Sequence, residues 1–100
     1  GAVHRIPIVM DGFISLAAAL AAIRIEPKVR EFIIPSHASG EYGGRLLLDT
    51  IGFEPYLTCD MCLGEGTGGV ALFPLLDMGL AVYRQMSTFE QINIEPYHPL

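Results

Sequence analysis

The chain places one carboxylate, Glu65, inside the glycine-rich run Leu63-Gly64-Glu65-Gly66-Thr67-Gly68-Gly69. Glycine takes backbone conformations closed to other residues and lets a ligand come close to the main chain. A helix opening near Thr67 would aim N–H groups and the positive end of its dipole at whatever binds there. Such groups hold phosphate well, even without Lys or Arg. Yet the run is not G-x-x-x-x-G-K-[ST], and it meets the dinucleotide spacing only formally, with a carboxylate where a pyrophosphate would approach. That repulsion assigns Glu65 to the part of the ligand that is not phosphate, as a base. The bland alternative is a flexible turn before a helix.

Two other loops carry polar groups beside glycine: Asp11-Gly12, and Ser36 to Gly44 with the string Ser36-His37-Ala38-Ser39. His37, set between serines, could shuttle a proton. A His in such a loop more often bonds locally to the loop backbone, so it is left out of the chemistry. Cys59 and Cys62 have a C-x-x-C spacing, open to a redox pair, half a zinc site or two incidental thiols. His4, His37 and His98 supply no H-x₃₋₅-H partner for zinc. A thioredoxin-like pair should stand close before a helix, and here the glycine loop intervenes. Incidental thiols are the preferred reading. They imply a reducing, cytoplasmic setting; no metal or cofactor is expected.

These loops need elements to position them. Arg5 to Met10 reads as a buried parallel strand, with Pro7 confined to its first residues. Asp11 is an N-cap candidate for an Ala-rich helix over Phe13 to Arg24, apolar nearly all round and so expected to be buried on both sides. Pro27 ends that helix or opens a short turn. Glu31 to Pro35 is a second strand, Arg45 to Ile51 a helix stopped by Gly52, and Glu54 to Leu57 a short third strand. A long helix follows over Gly68 to Met86, which Pro74 should bend or divide. Ser87-Thr88-Phe89-Glu90 has the form of a capping box, and Ile94 to Leu100 should be irregular. Alternating strands and helices with buried strands mean α/β with a parallel sheet. Ligands of such sheets bind beyond the C-terminal strand ends, where all three loops fall.

Composition sets the outer limits. Of 100 residues 51% are apolar and 17% charged, against about 25% charged in ordinary globular chains. A small domain needs more polar surface, not less, so some of this apolar surface is expected to lie against other protein. The start at Gly1-Ala2-Val3, directly before a strand, reads as a cut edge. The apolar stretches Phe13 to Ile25 and Val70 to Val82 fall short of the roughly 20 residues of a membrane span, and no signal peptide is visible. With net charge −5 and six scattered basic residues, no Lys/Arg cluster can follow a nucleic-acid backbone. Neither nucleic acid nor membrane is expected as a partner.

The run Asp11-Gly12-Phe13-Ile14-Ser15 before an Ala-rich helix, then Ser36-His37-Ala38-Ser39, then Leu63-Gly64-Glu65-Gly66-Thr67-Gly68 closely resembles the nicotinate-nucleotide–dimethylbenzimidazole phosphoribosyltransferase family. The resemblance runs from about Arg5 to Gln91 and matches the C-terminal third or so of such an enzyme. It implies part of a parallel-sheet, Rossmann-like catalytic domain with flanking helices over residues 1–86. A C-terminal tail over 87–100 follows, the last helix belonging to a small helical subdomain. The implied reaction moves phosphoribose from nicotinate mononucleotide to a benzimidazole-type base, giving an α-ribazole phosphate and free nicotinate, in assembly of the cobalamin nucleotide loop. By resemblance Glu65 is the catalytic base, Gly12 and Ser39 help hold the ribose phosphate, and Leu63 lines the base pocket. Gly64 and Gly66 flank the base as substrate-binding positions. The chain departs from the family at Cys62, where Arg is usual, and part of the pocket with a second acidic residue would lie upstream. The expected partners are the two substrates, the upstream remainder of the enzyme and a second copy in a homodimer. The isolated segment should be inactive. The competing reading is a non-catalytic nucleotide-binding or assembly module that needs a partner chain.

Overall fold

The computed structural model describes residues 1–38 and 40–99. Two short strands, β1 (Ile8–Met10) and β2 (Ile33–Pro35), pair in parallel with Ile8 opposite Ile33, Val9 opposite Ile34 and Met10 opposite Pro35. The crossover between them is helix α1 (Phe13–Ile25) followed by a 3₁₀ turn over Pro27–Phe32. Helix α2 (Tyr42–Ile51) and the long helix α3 (Thr67–Gln85) complete an α/β fold. One core joins the layers, formed by Met10, Leu16, Ala19, Ile33, Ala38, Leu48 and Ile51.

Local chemistry explains most boundaries. Pro27 occupies the first position of the 3₁₀ turn, and Glu26 caps it by accepting a hydrogen bond from the Lys28 N–H at 3.1 Å. That turn takes Glu31 and Phe32, so β2 is shorter than its apolar run. Gly52 closes α2 in the left-handed region at φ 73°, where its N–H and that of Phe53 satisfy the last carbonyls. The segment Glu54 to Leu57 makes one parallel bridge, Leu57 against His37, rather than a strand; Pro55 has no N–H to offer a ladder.

Arg30 ties the crossover to the end of α2. Its guanidinium donates to the Ile51 carbonyl and, at 2.7 Å, to the Gly52 carbonyl, while lying 4.5 Å from the centre of the Phe53 ring. Truncating it to Ala should cost about 2 kcal/mol, read as a lowered thermal midpoint. Arg30→Lys should recover only part, because an ammonium cannot fork to two carbonyls while stacking on a ring.

Four expectations need correcting. Helix α1 is not buried on both sides: Leu16 and Ala19 are buried, but Ile14 and Ile25 are 84% and 85% exposed, because the described residues pack on one side only. Helix α2 starts at Tyr42 rather than Arg45, and its Gly43 sits where any Cβ would strike the Phe13 ring at 2.7 Å. Of the two outcomes expected of Pro74, bending or division, division does not occur: α3 runs unbroken through it with one intrahelical bond fewer. The capping box lies one residue later than expected: Thr88 N–H donates to Gln91 Oε1 at 2.8 Å, and Gln91 N–H to Thr88 Oγ1 at 3.3 Å. It closes only a turn, since Asn93 takes φ 55° and stops propagation. Residues 94–99 are irregular, as expected.

Much of α3 remains uncovered. It buries Gly68, Gly69 and Leu72 near its start, whereas Val70, Phe73, Met78, Leu80 and Val82 are exposed. No helix among the described residues is long and apolar enough to cross a membrane.

Candidate active site

The C-terminal ends of β1 and β2 and the N-terminus of α3 meet at one rim. Asp11, directly after β1, does not cap α1: that helix has Gly12 as N-cap and no side-chain cap. Instead the Asp11 carboxylate crosses to the glycine loop. One oxygen accepts from Gly68 N–H at 2.9 Å and Gly69 N–H at 3.3 Å, the other from Gly66 N–H at 3.1 Å. A negative side chain thus neutralises the positive end of α3 from 55 to 58 residues away. This overturns the expectation that α3 offers free N–H groups to a ligand, for Thr67 N–H is also engaged, by the Gly64 carbonyl at 3.0 Å.

The loop itself is left-handed. Gly64, Glu65 and Gly66 have φ of 73°, 53° and 79° in succession. Glycine adopts such angles freely, but for Glu65 they cost on the order of 1–2 kcal/mol. Thr67 closes the turn, its hydroxyl donating to the Gly64 carbonyl at 2.7 Å. Strain of this kind persists only where surrounding bonds over-determine it, and it concentrates at functional sites. Here the bonds are those of Asp11 and Thr67, and the strained residue carries the expected base.

The second loop packs under the first. Ser36 and His37 are both buried. Ser36 Oγ lies 3.0 Å from His37 Nδ1, one donating to the other according to the imidazole tautomer, and 3.4 Å from the Asp11 carbonyl. His37 therefore bonds to a neighbouring side chain rather than to the loop backbone, and its ring rests against Gly68. Ser39 lies outside the described residues. Gly12 is half-buried, and its carbonyl accepts from Ser15 Oγ at 2.8 Å.

Of the expected site residues, Glu65, Gly64 and Leu63 are exposed, Leu63 at 71%, while Gly66 is half-buried on Asp11. Sequence reasoning missed Asp11 as the brace of the glycine loop; its position at a strand end was visible, its partners were not. Cys59 and Cys62 are free, exposed thiols, Cys62 lying beside Gly40. Among the described residues no group of three or more His, Cys, Asp or Glu is placed to hold a metal ion.

Comparison with known proteins shows the family. A phosphoribosyltransferase family model matches residues 1–94. The nicotinate-nucleotide–dimethylbenzimidazole phosphoribosyltransferase of Acetivibrio thermocellus is 54% identical over 95 residues, which cover 95% of this chain and 27% of that protein. The enzyme of the same name from Clostridium acetobutylicum is 52% identical over 99% of this chain and 28% of its own length. The crystal structure of CobT from Thermus thermophilus superposes with a TM-score of 0.80 at 38% identity, over 89% of this chain and 26% of that one. The chain thus spans little more than a quarter of the curated relatives it matches. A match running almost end to end, over strand ends and loops arranged as described, means that the chain belongs to the phosphoribosyltransferase family that includes the nicotinate-nucleotide–dimethylbenzimidazole enzymes.

Proposed function

We propose that this chain is the C-terminal segment of a nicotinate-nucleotide–dimethylbenzimidazole phosphoribosyltransferase and forms the wall of its active site that carries the general base. The observation behind this reading is the braced, left-handed turn that holds Glu65 at the rim where both strands end. Residues 1–86 belong to a Rossmann-like catalytic domain and 87–100 to its tail. The upstream part of a cytoplasmic, dimeric enzyme covers Glu65, Leu63 and the apolar face of α3.

In the proposed reaction one ring nitrogen of dimethylbenzimidazole attacks the anomeric carbon of nicotinate mononucleotide. The bond to the pyridinium nitrogen breaks and its electron pair leaves with nicotinate. The other benzimidazole nitrogen becomes acidic as the new bond forms, and the Glu65 carboxylate takes its proton. A single displacement inverts the anomeric carbon and yields α-ribazole 5′-phosphate. The phosphate sits away from the two carboxylates of the α3 end. Its seat is the start of α1, which has no side-chain cap, together with Gly12 and Ser39. Gly64 and Gly66 let the base approach the main chain beside Leu63.

The test is incubation with nicotinate mononucleotide and dimethylbenzimidazole, of this chain alone and of the full-length protein. Nicotinate should be released by the full-length protein only. Nucleotide binding with no release by either form would instead favour a non-catalytic binding or assembly module.

A further inference from the structure

We propose that His37 is a positioning residue for the proton transfer: its buried imidazole fixes Gly68 and, through it, the left-handed turn that carries Glu65. The proposal rests on the reading of Glu65 as the base. A methyl group built at Gly68 would lie 1.9 Å from His37 Nδ1 and 2.2 Å from its Cε1, so the ring fills the space a side chain would need. Gly68 stands within α3 and outside the left-handed region, so any residue fits its backbone. The obstacle to a side chain is the imidazole, and to a lesser degree Asp11 Oδ1 at 2.9 Å.

The ring is itself held. His37 is 6% exposed, follows the buried Ser36 that bonds its Nδ1, and is fixed by the Leu57 bridge at its backbone. Gly68 is thus gripped from both strands: its N–H by the Asp11 carboxylate after β1, its Cα face by the imidazole after β2. Two contacts of different kinds set the height of the α3 start at Gly68, and Glu65 is three residues before that glycine. Burial keeps His37 from touching substrate, so it acts through Gly68 and not as a proton shuttle.

The test uses the full-length enzyme, with rates normalised to folded protein. Gly68→Ala should lower kcat by about 100-fold and His37→Ala by about tenfold, the size of loss that a misplacement near 1 Å produces. The double variant should be at least about tenfold faster than Gly68→Ala alone, because removing the ring makes room for the methyl. Independent structural damage would add instead. Should Gly68→Ala fail to fold, amide exchange decides: in His37→Ala the Gly68 amide should lose protection while α2 keeps its own. A double variant no faster than Gly68→Ala, or a His37→Ala protein with unchanged kcat and unchanged Gly68 exchange, would overturn the proposal. Glu65→Gln is the control; if it keeps its turnover the assignment of the base has failed, and Gly68 exchange alone then judges the clamp.

Discussion

Replacing Glu65 by glycine is expected to slow phosphoribosyl transfer by about 10²–10⁴-fold, the contribution of a positioned general base, without destabilising the protein. The residue sits at φ 53° between two left-handed glycines. Relief of that strain is worth on the order of 1–2 kcal/mol, against about 0.4–1 kcal/mol for the added freedom of an unfolded glycine. The net is a gain of about 0.5 kcal/mol in stability as activity is lost. Thermal midpoints and initial rates of the same preparation would show the two moving in opposite directions. A glycine variant that is less stable would mean that the Glu65 side chain holds the turn, and that the strain is not there to serve the chemistry.

Removing the Asp11 carboxylate should do the reverse and harm both. Its two oxygens accept three N–H bonds at 2.9, 3.1 and 3.3 Å and face the positive end of α3. Bonds to a charged acceptor are worth about 1.5–3 kcal/mol each, but they share one side chain and do not sum. Asp11→Ala should cost about 3 kcal/mol, leaving the first-turn N–H groups without partners. Asp11→Asn keeps one acceptor oxygen but loses the charge, and should cost about 1–2 kcal/mol. Turnover should fall with both, more steeply for Ala, because the turn that aims Glu65 loses its brace. Equal stability of wild type and Asp11→Ala would show that the brace contributes nothing.

The contrast between what the sequence discloses and what it hides follows the range of the interactions. Local chemistry was readable: β-branched runs gave β2 and the Ile8–Met10 part of β1, the Ala-rich stretch gave α1, and Gly52 marked the end of α2. The expected start of β1 at Arg5 is instead a left-handed cap at φ 56°. The convergence of three loops at one rim followed from the parallel sheet. What could not be read were pairings across the chain. Asp11 looks like the cap of the helix beside it and instead caps a helix 55 residues on. Gly43 and Gly44 looked like loop and proved to be helix, the small size of Gly43 serving contact with Phe13 of α1 rather than a turn. His37 looked like a local or shuttling histidine, and only its contact with Gly68 assigns it a place in the loop's support.

The central claim is that Glu65 takes the benzimidazole proton. Its most direct test is the rate of nicotinate release in a single turnover by the full-length Glu65→Gln enzyme, with nicotinate mononucleotide binding measured alongside. Gln keeps the shape and the bonds of the turn but cannot accept that proton, so nucleotide should bind as before while release slows by about 10²-fold or more. Release at the rate of the unaltered enzyme would contradict the account and move the base to another residue.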